Sequence, residues 1–353
     1  MQETTKDERL GSEHLGKLMV SLAVPAVAAQ LINVLYNIVD RIYIGHIQGY
    51  GDMALTGVGV TFPIIMLIAA FSAFAGMGGA PLASIQLGKH DYDRAELILG
   101  NSAGLLVIFS VVLTIAFSIF KTPVLYAFGA SETTIQYAES YIGIYLLGTI
   151  FVQFAVGLNT FISGQGEARI AMLSVLIGAI INICLDPVFI FVFGMGVKGA
   201  ALATIISQAV SAAWVIKFLT SKKSVIRLKA KNMRLKGDVV KHIGGLGISP
   251  FIMQSTESLV NITLNSGLQK YGGDLYVGTM SIMTSIMQLI VIPIQGITQG
   301  VQPIISYNYG ARRPKRVFQA GVTMGIIAIL YTLLAWSVIL FVPRFLIGIF
   351  SSD

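Results

Sequence analysis

Hydrophobic residues run along this chain in long blocks separated by short polar stretches, and the length of the blocks decides its class. A helix that crosses the hydrocarbon core of a bilayer needs roughly twenty apolar residues. Nine blocks reach that length, at about 18–44, 53–80, 95–120, 133–157, 168–194, 198–219, 243–269, 275–306 and 318–342. The pattern predicts an all-α polytopic membrane protein. Residues 1–17 form a polar tail of mixed charge, without the basic start, short apolar stretch and cleavage site of a signal peptide. The first block is therefore expected to remain in the protein as a helix.

Composition sharpens this reading. Apolar residues make up 55% of the chain and charged residues only 12%, with a mean hydropathy of +0.77. A soluble domain carries about 25% charged residues. The net charge of +7 does not indicate a nucleic-acid partner, because the Lys and Arg residues cluster between apolar blocks, from Lys217 to Lys241 and from Arg312 to Arg316. With the N-terminus placed in the cytoplasm, nineteen of the 24 Lys and Arg fall on the cytoplasmic side. Five (Arg41, Lys121, Lys198, Lys270 and Arg344) fall on the other. That bias predicts a multi-pass protein of a prokaryotic inner membrane with its N-terminus inside. The basic linker, 221–242, is positioned to touch anionic membrane lipid. The single cysteine, Cys184, reads as a small core residue, and the four histidines lack metal-ligand spacing, so no cofactor or dedicated metal is expected.

The chain also repeats itself. A shift of 222 carries Asp52 onto Asp274, Pro81 onto Pro303, Ser84 onto Ser306 and Gly88 onto Gly310. A shift of 224 carries Gln30, Asn33 and Asn37 onto Gln254, Glu257 and Asn261. The first copy holds six blocks, at 18–220, an even number that makes the repeat parallel. Duplicated bundles of this kind belong to secondary transporters with a substrate site between the halves. The second copy, 243–353, holds three blocks, and by the repeat about three more spans are expected in an intact relative.

Ionisable groups within a span are costly, roughly 2.5–3.5 kcal/mol on insertion scales, and so mark candidate function. Asp40 ends a stripe of Gln30, Asn33, Asn37 and Asp40, whose spacings of three, four and three share one helix face. Asp186 follows Asn182 by one turn and precedes Pro187, which weakens the helix and frees carbonyls. A carboxylate beside an amide in a dry cavity is a candidate proton carrier. Glu257 lies in line with Gln254, Asn261 and Asn265, a polar stripe of the second half that suits either a site or a packed interface between halves. Gln288, Gln295 and Gln299 add polar positions on the eighth block.

Four segments resemble the MATE (multidrug and toxic compound extrusion) family of the MOP superfamily: PAVAAQLINVLYNIVDRIYIGHIQGYGDMALTGVGVTFPI, GLNTFISGQGEARIAM, NICLDPVFIFVFGMGVKGAALATIISQ and GVQPIISYNYGARR. The resemblance implies a two-lobe helical bundle, with about nine of twelve transmembrane helices present here. It implies antiport of cationic or amphiphilic small molecules against H+ or Na+ by alternating access. Carried onto this chain, it implies an ion-coupling site at Asp40, Asn182 and Asp186, supporting polar residues at Tyr141, Asn159 and Thr204, and a hinge at Pro25. Glu257 resembles the acid on the seventh helix of the branch often called sodium-coupled, which makes Na+ a candidate at the ion site. A monomer and no enzymatic activity are expected. Two other readings remain: a lipid-linked oligosaccharide flippase of the same superfamily, and a truncated, inactive transporter.

Overall fold

The computed structural model describes residues 8–341, apart from some side chains between 261 and 289. A short helix, α1 (Glu8–Ser12), leads into α2 (Leu15–Gly45), α3 (Gly51–Gly88) and α4 (Tyr92–Ala127). α5 (Ile135–Leu147), α6 (Thr149–Gln153) and α7 (Asn159–Gly164) together make one bent crossing. α8 (Ala168–Pro187) and α9 (Val197–Thr220) complete the first half, and α10 (Gly237–Gly310) and α11 (Pro314–Phe341) build the second. Asp91 shows why α4 begins where it does: its carboxylate caps the helix by accepting from the Arg94 amide at 3.0 Å.

Among the described residues six helices are long and apolar enough to cross a membrane, and the bent α5–α7 pair makes a seventh. α10, with 74 residues, has the length of two further spans. Drawn straight, the 74 residues of α10 would measure about 110 Å. Yet Ile243 and Gly247 lie against Gly78 of α3, and Tyr307 lies against Gly88 only ten residues along the same helix. The two ends of α10 therefore meet one stretch of α3, and the helix must double back between them. Its first leg runs antiparallel to α3, and its second runs antiparallel to α2, where Gly296 packs on Val27 and Gly300 on Ala23. Glycine at these crossings lets backbones approach closely, the usual way for helices to associate in lipid.

Several expected boundaries move. The loop expected at 270–274 is helical backbone. α10 starts at Gly237, so the linker is 221–236 rather than 221–242. The fourth span does not end near 157 but continues to Gly164 through a 63° bend. The bend falls at Gly148, where a Cβ would strike Ile205 of α9, and is followed by a π-helical turn at Phe154–Leu158. α2 passes through Pro25 as uninterrupted helix. Cys184, expected in the core, is exposed.

Two hydrophobic clusters fill the bundle. One, at the end that carries the basic linker, joins both halves: Leu10, Leu18, Leu87, Leu99 and Phe161 pack with Ile243, Val301, Ile304 and Tyr307. The other, at the opposite end, includes Ile44, Ile64, Ile68, Leu125, Ile142 and Ile190, and its described members all belong to the first half. Among the described residues, the halves share a core at the basic end only.

Candidate functional site

Helices α2, α5, α8 and α9 of the first half converge around Asp40. α2 packs closely on α8, which brings Asp40 toward Asn182 and Asp186. The Asn182 Nδ2 donates to Asp186 Oδ1 at 3.2 Å, the one-turn contact that their spacing allows. Asp186 is completely buried and Asp40 nearly so. Asp40 acts electrostatically on Asp186, Tyr36 and Tyr141, so these groups share one locale. The Tyr141 hydroxyl lies near Thr204, and the Tyr141 ring stacks on Tyr145 at 6.2 Å. Thr204 anchors itself by donating to the Ala200 carbonyl at 3.0 Å. Directly after Asp186 and Pro187 the chain takes a π-helical turn, Val188–Val192. Proline lacks the amide that would close the normal turn, and such wide turns recur at functional sites.

Three oxygens in this cluster, Asp40 Oδ1, Asn182 Oδ1 and Asp186 Oδ2, are buried and accept no hydrogen bond among the described residues. Buried polar atoms are paired in the great majority of cases. Arg41 does not pair with them: it is exposed and lies over the Phe62 ring, its Cζ 5.2 Å from the centroid. Two buried carboxylates without a hydrogen-bonded cation make an oxygen-only donor set. Its chemistry suits a proton or a hard cation such as Na+.

The other candidate residues go elsewhere. Gln30 reaches across to the second half, donating from Nε2 to Gln299 Oε1 at 3.0 Å. Asn37 is exposed and donates back to the Asn33 backbone carbonyl at 2.7 Å, which ties the Asn37 side chain to its own helix. Asn159 donates to the Ala171 carbonyl at 3.2 Å. Ala171 lies eleven residues before Asn182 on α8, which puts Asn159 about 16 Å nearer the basic end. Gln254 is half-buried and Glu257 exposed, and among the described residues no hydrogen bond or ion pair joins Glu257 to Asp40, Asn182 or Asp186. The side chain of Asn261 lies outside the described residues. Tyr36, one turn before Asp40, also belongs to the cluster, and its i–4 spacing from the acid is the signal that the sequence carries for it.

The MatE family profile matches residues 25–188 and 250–353. The chain belongs to the MatE family. Among curated relatives, a multidrug export protein MepA from Staphylococcus haemolyticus is 26% identical over 99% of this chain and 77% of its own length. Among solved structures, the MATE multidrug transporter DinF-BH superposes with a TM-score of 0.91 at 35% identity, covering 99% of this chain and 78% of that one. A MOP superfamily transporter from Pyrococcus furiosus, whose binding pocket of reverse polarity suggests a different function, superposes with a TM-score of 0.90 at 27% identity, covering 100% and 77%. The MatE chain described here is thus a multi-pass helical membrane protein.

Proposed function

We propose that this MatE protein is a secondary multidrug efflux transporter. It exports cationic or amphiphilic compounds in exchange for H+ or Na+ by alternating access, from a prokaryotic cell membrane with its N-terminus in the cytoplasm. The three unpartnered oxygens of Asp40, Asn182 and Asp186 carry this reading. A buried acid pair with no hydrogen-bonded cation gains most from an arriving proton or ion. Ion and drug then need only favour different packings of α2 to be exchanged. The multidrug names of the relatives support the cargo class, and the distribution of Lys and Arg supports the orientation.

Ethidium efflux in an efflux-deficient bacterium tests it, measured with and without a protonophore at fixed sodium. Protonophore-sensitive efflux assigns the proton, and efflux that follows sodium instead assigns Na+. Asp40→Asn is expected to abolish coupled efflux at unchanged membrane abundance. Undiminished efflux in that variant removes the site from the mechanism. A protein that inserts into the membrane yet never moves ethidium points to another cargo.

A further inference from the structure

The segment GVQPIISYNYGARR and the tail before α2 take no part in the site just described, yet the structure ties them together. Asn308, fully buried, donates from Nδ2 to the Leu10 carbonyl at 2.8 Å. Arg313 donates from Nη1 to the Gly11 carbonyl at 2.6 Å. Arg316 donates from Nη2 to the Glu13 carbonyl and reaches the Leu10 carbonyl at 3.4 Å. The Leu10 side chain is buried against the first half at Gly166, a glycine in the left-handed region (φ +86°). The tail is thus held by both halves. A Cβ at Gly11 would press on the Arg313 guanidinium and the Tyr307 ring, so a larger residue there displaces the end of the Arg313 side chain.

The first half has a counterpart. Arg94, after the α3–α4 corner, bonds from Nη2 to Asp238 Oδ2 at 2.9 Å, and Asp238 opens α10. The shift of 222 that relates the α3 and α10 positions carries Arg94 onto Arg316, and the shift of 224 that relates the first helices carries His14 onto Asp238. Equivalent arginines therefore hold nearly equivalent positions, each in the opposite copy.

We infer that these crossed clamps keep the basic end of the transporter shut: the corner of each half grips the segment leading into the other half's first helix, and both grips must release for that end to open. Behind them the halves meet through Gly78 against Ile243 and Gly247, Gly88 against Tyr307, and Gly310 against Ile85. This is also where the two halves share a core. The two clamps differ in strength. Arg94 and Asp238 are both largely exposed, and such pairs contribute little and weaken in salt. The Asn308–Arg313–Arg316 clamp is partly buried and bonds to backbone carbonyls, so it dominates.

The inference rests on the alternating-access reading, and its test separates the two. In a Cys184→Ser background, two reporters are introduced singly. Ser306→Cys is buried beside the Tyr307 contact. Gln295→Cys is exposed one turn beyond Gln299, toward the opposite end. Labelling by a membrane-impermeant maleimide is followed from each face. Asn308→Ala with Arg316→Ala is expected to raise labelling of Ser306→Cys from the basic face about tenfold, the scale of losing charge-assisted hydrogen bonds. Labelling of Gln295→Cys from the other face is expected to fall. Gly11→Ala, whose methyl displaces the Arg313 guanidinium while leaving Asn308 and Arg316 intact, is expected to act in the same direction but more weakly. Arg94→Asp is expected to act more weakly, with Asp238→Arg restoring the parent pattern. Unchanged labelling of Ser306→Cys in the first two variants overturns the clamp. So does a rise at both reporters, which signals general loosening. A rise at Ser306→Cys with Gln295→Cys unmoved upholds the clamp and removes alternating access.

Discussion

Two buried polar regions of the first half invite comparison. Around Asp40 and Asp186 the helices leave oxygens without partners. Under the linker, 221–236, buried polar groups are thoroughly paired. Gln165 Oε1 accepts from the Ser224 hydroxyl at 2.9 Å, the Val225 amide at 2.8 Å and the Ile226 amide at 3.2 Å, while its Nε2 donates to the Phe161 carbonyl. Glu96 accepts from the Arg227 amide at 3.1 Å and pairs with Lys229. Asn101 donates to the Asn232 carbonyl at 3.0 Å and accepts from the Lys236 amide at 2.7 Å. The same residue chemistry serves two ends. Where every atom is paired, burial builds structure; the oxygens left open around Asp40 and Asp186 are the ones we propose receive the coupling ion.

The comparison breaks first on transport. Asp186→Asn, like Asp40→Asn, is expected to remove coupled efflux entirely while melting in detergent unchanged or higher, since one buried charge is gone. Loss of fold in that variant would place Asp186 with the structural set. Gln165→Ala is the converse: three donors on the linker lose their acceptor, at a cost of about 3 kcal/mol or more. Detergent melting is expected to fall strongly, with coupling intact in whatever protein folds. Gly100→Ala comes next. Its Cβ would meet the Asn232 backbone, and an overpacked contact costs about 1–3 kcal/mol; proteolysis within 221–236 is expected to accelerate. Glu257→Gln, an exposed position apart from the acid pair, is expected to reduce efflux less than Asp40→Asn. An equal loss would make the second half a full partner in coupling. The smallest effect concerns acid. Arg9 and Lys17 hold the Glu13 carboxyl below the usual carboxylate range. A carboxyl lowered in the folded state stabilises above its unfolded value and loses that contribution only as pH falls through the folded one. Glu13→Gln is therefore expected to lower detergent melting only slightly, and by the same amount at neutral pH and as pH drops toward the ordinary carboxylate range.

Much of the fold was legible because lipid makes helix length and charge placement unusually informative. Asp40 and the Asn182–Asp186 pair stood out for the same reason, as ionisable groups inside apolar runs. Less visible were the residues whose partners are backbone atoms. Glu96, Asn101 and Gln165 lie near helix ends, where polar side chains are ordinary, and the amides and carbonyls they bind carry no mark in a sequence. The linker read as a solvated basic loop because its lysines dominate its composition, whereas Ser224 and Ile226 turn inward and are buried. The bend at Gly148 was hidden by its apolar neighbours. Asn159 enters the site by resemblance alone, and its bond to Ala171 places it beside the basic end of α8, away from Asp186.

The docked linker also bears on how the protein is made. As the chain leaves the ribosome, the first half can insert all its helices and still hold Glu96, Asn101 and Gln165 with empty valences on its basic face. Those are filled only once residues up to Lys236 have emerged. The first folding unit is therefore longer than its membrane-embedded part. A gene split after Lys236 would yield a first fragment whose basic face is complete, while one split after Thr220 would release it with its buried polar groups open to any passing chain.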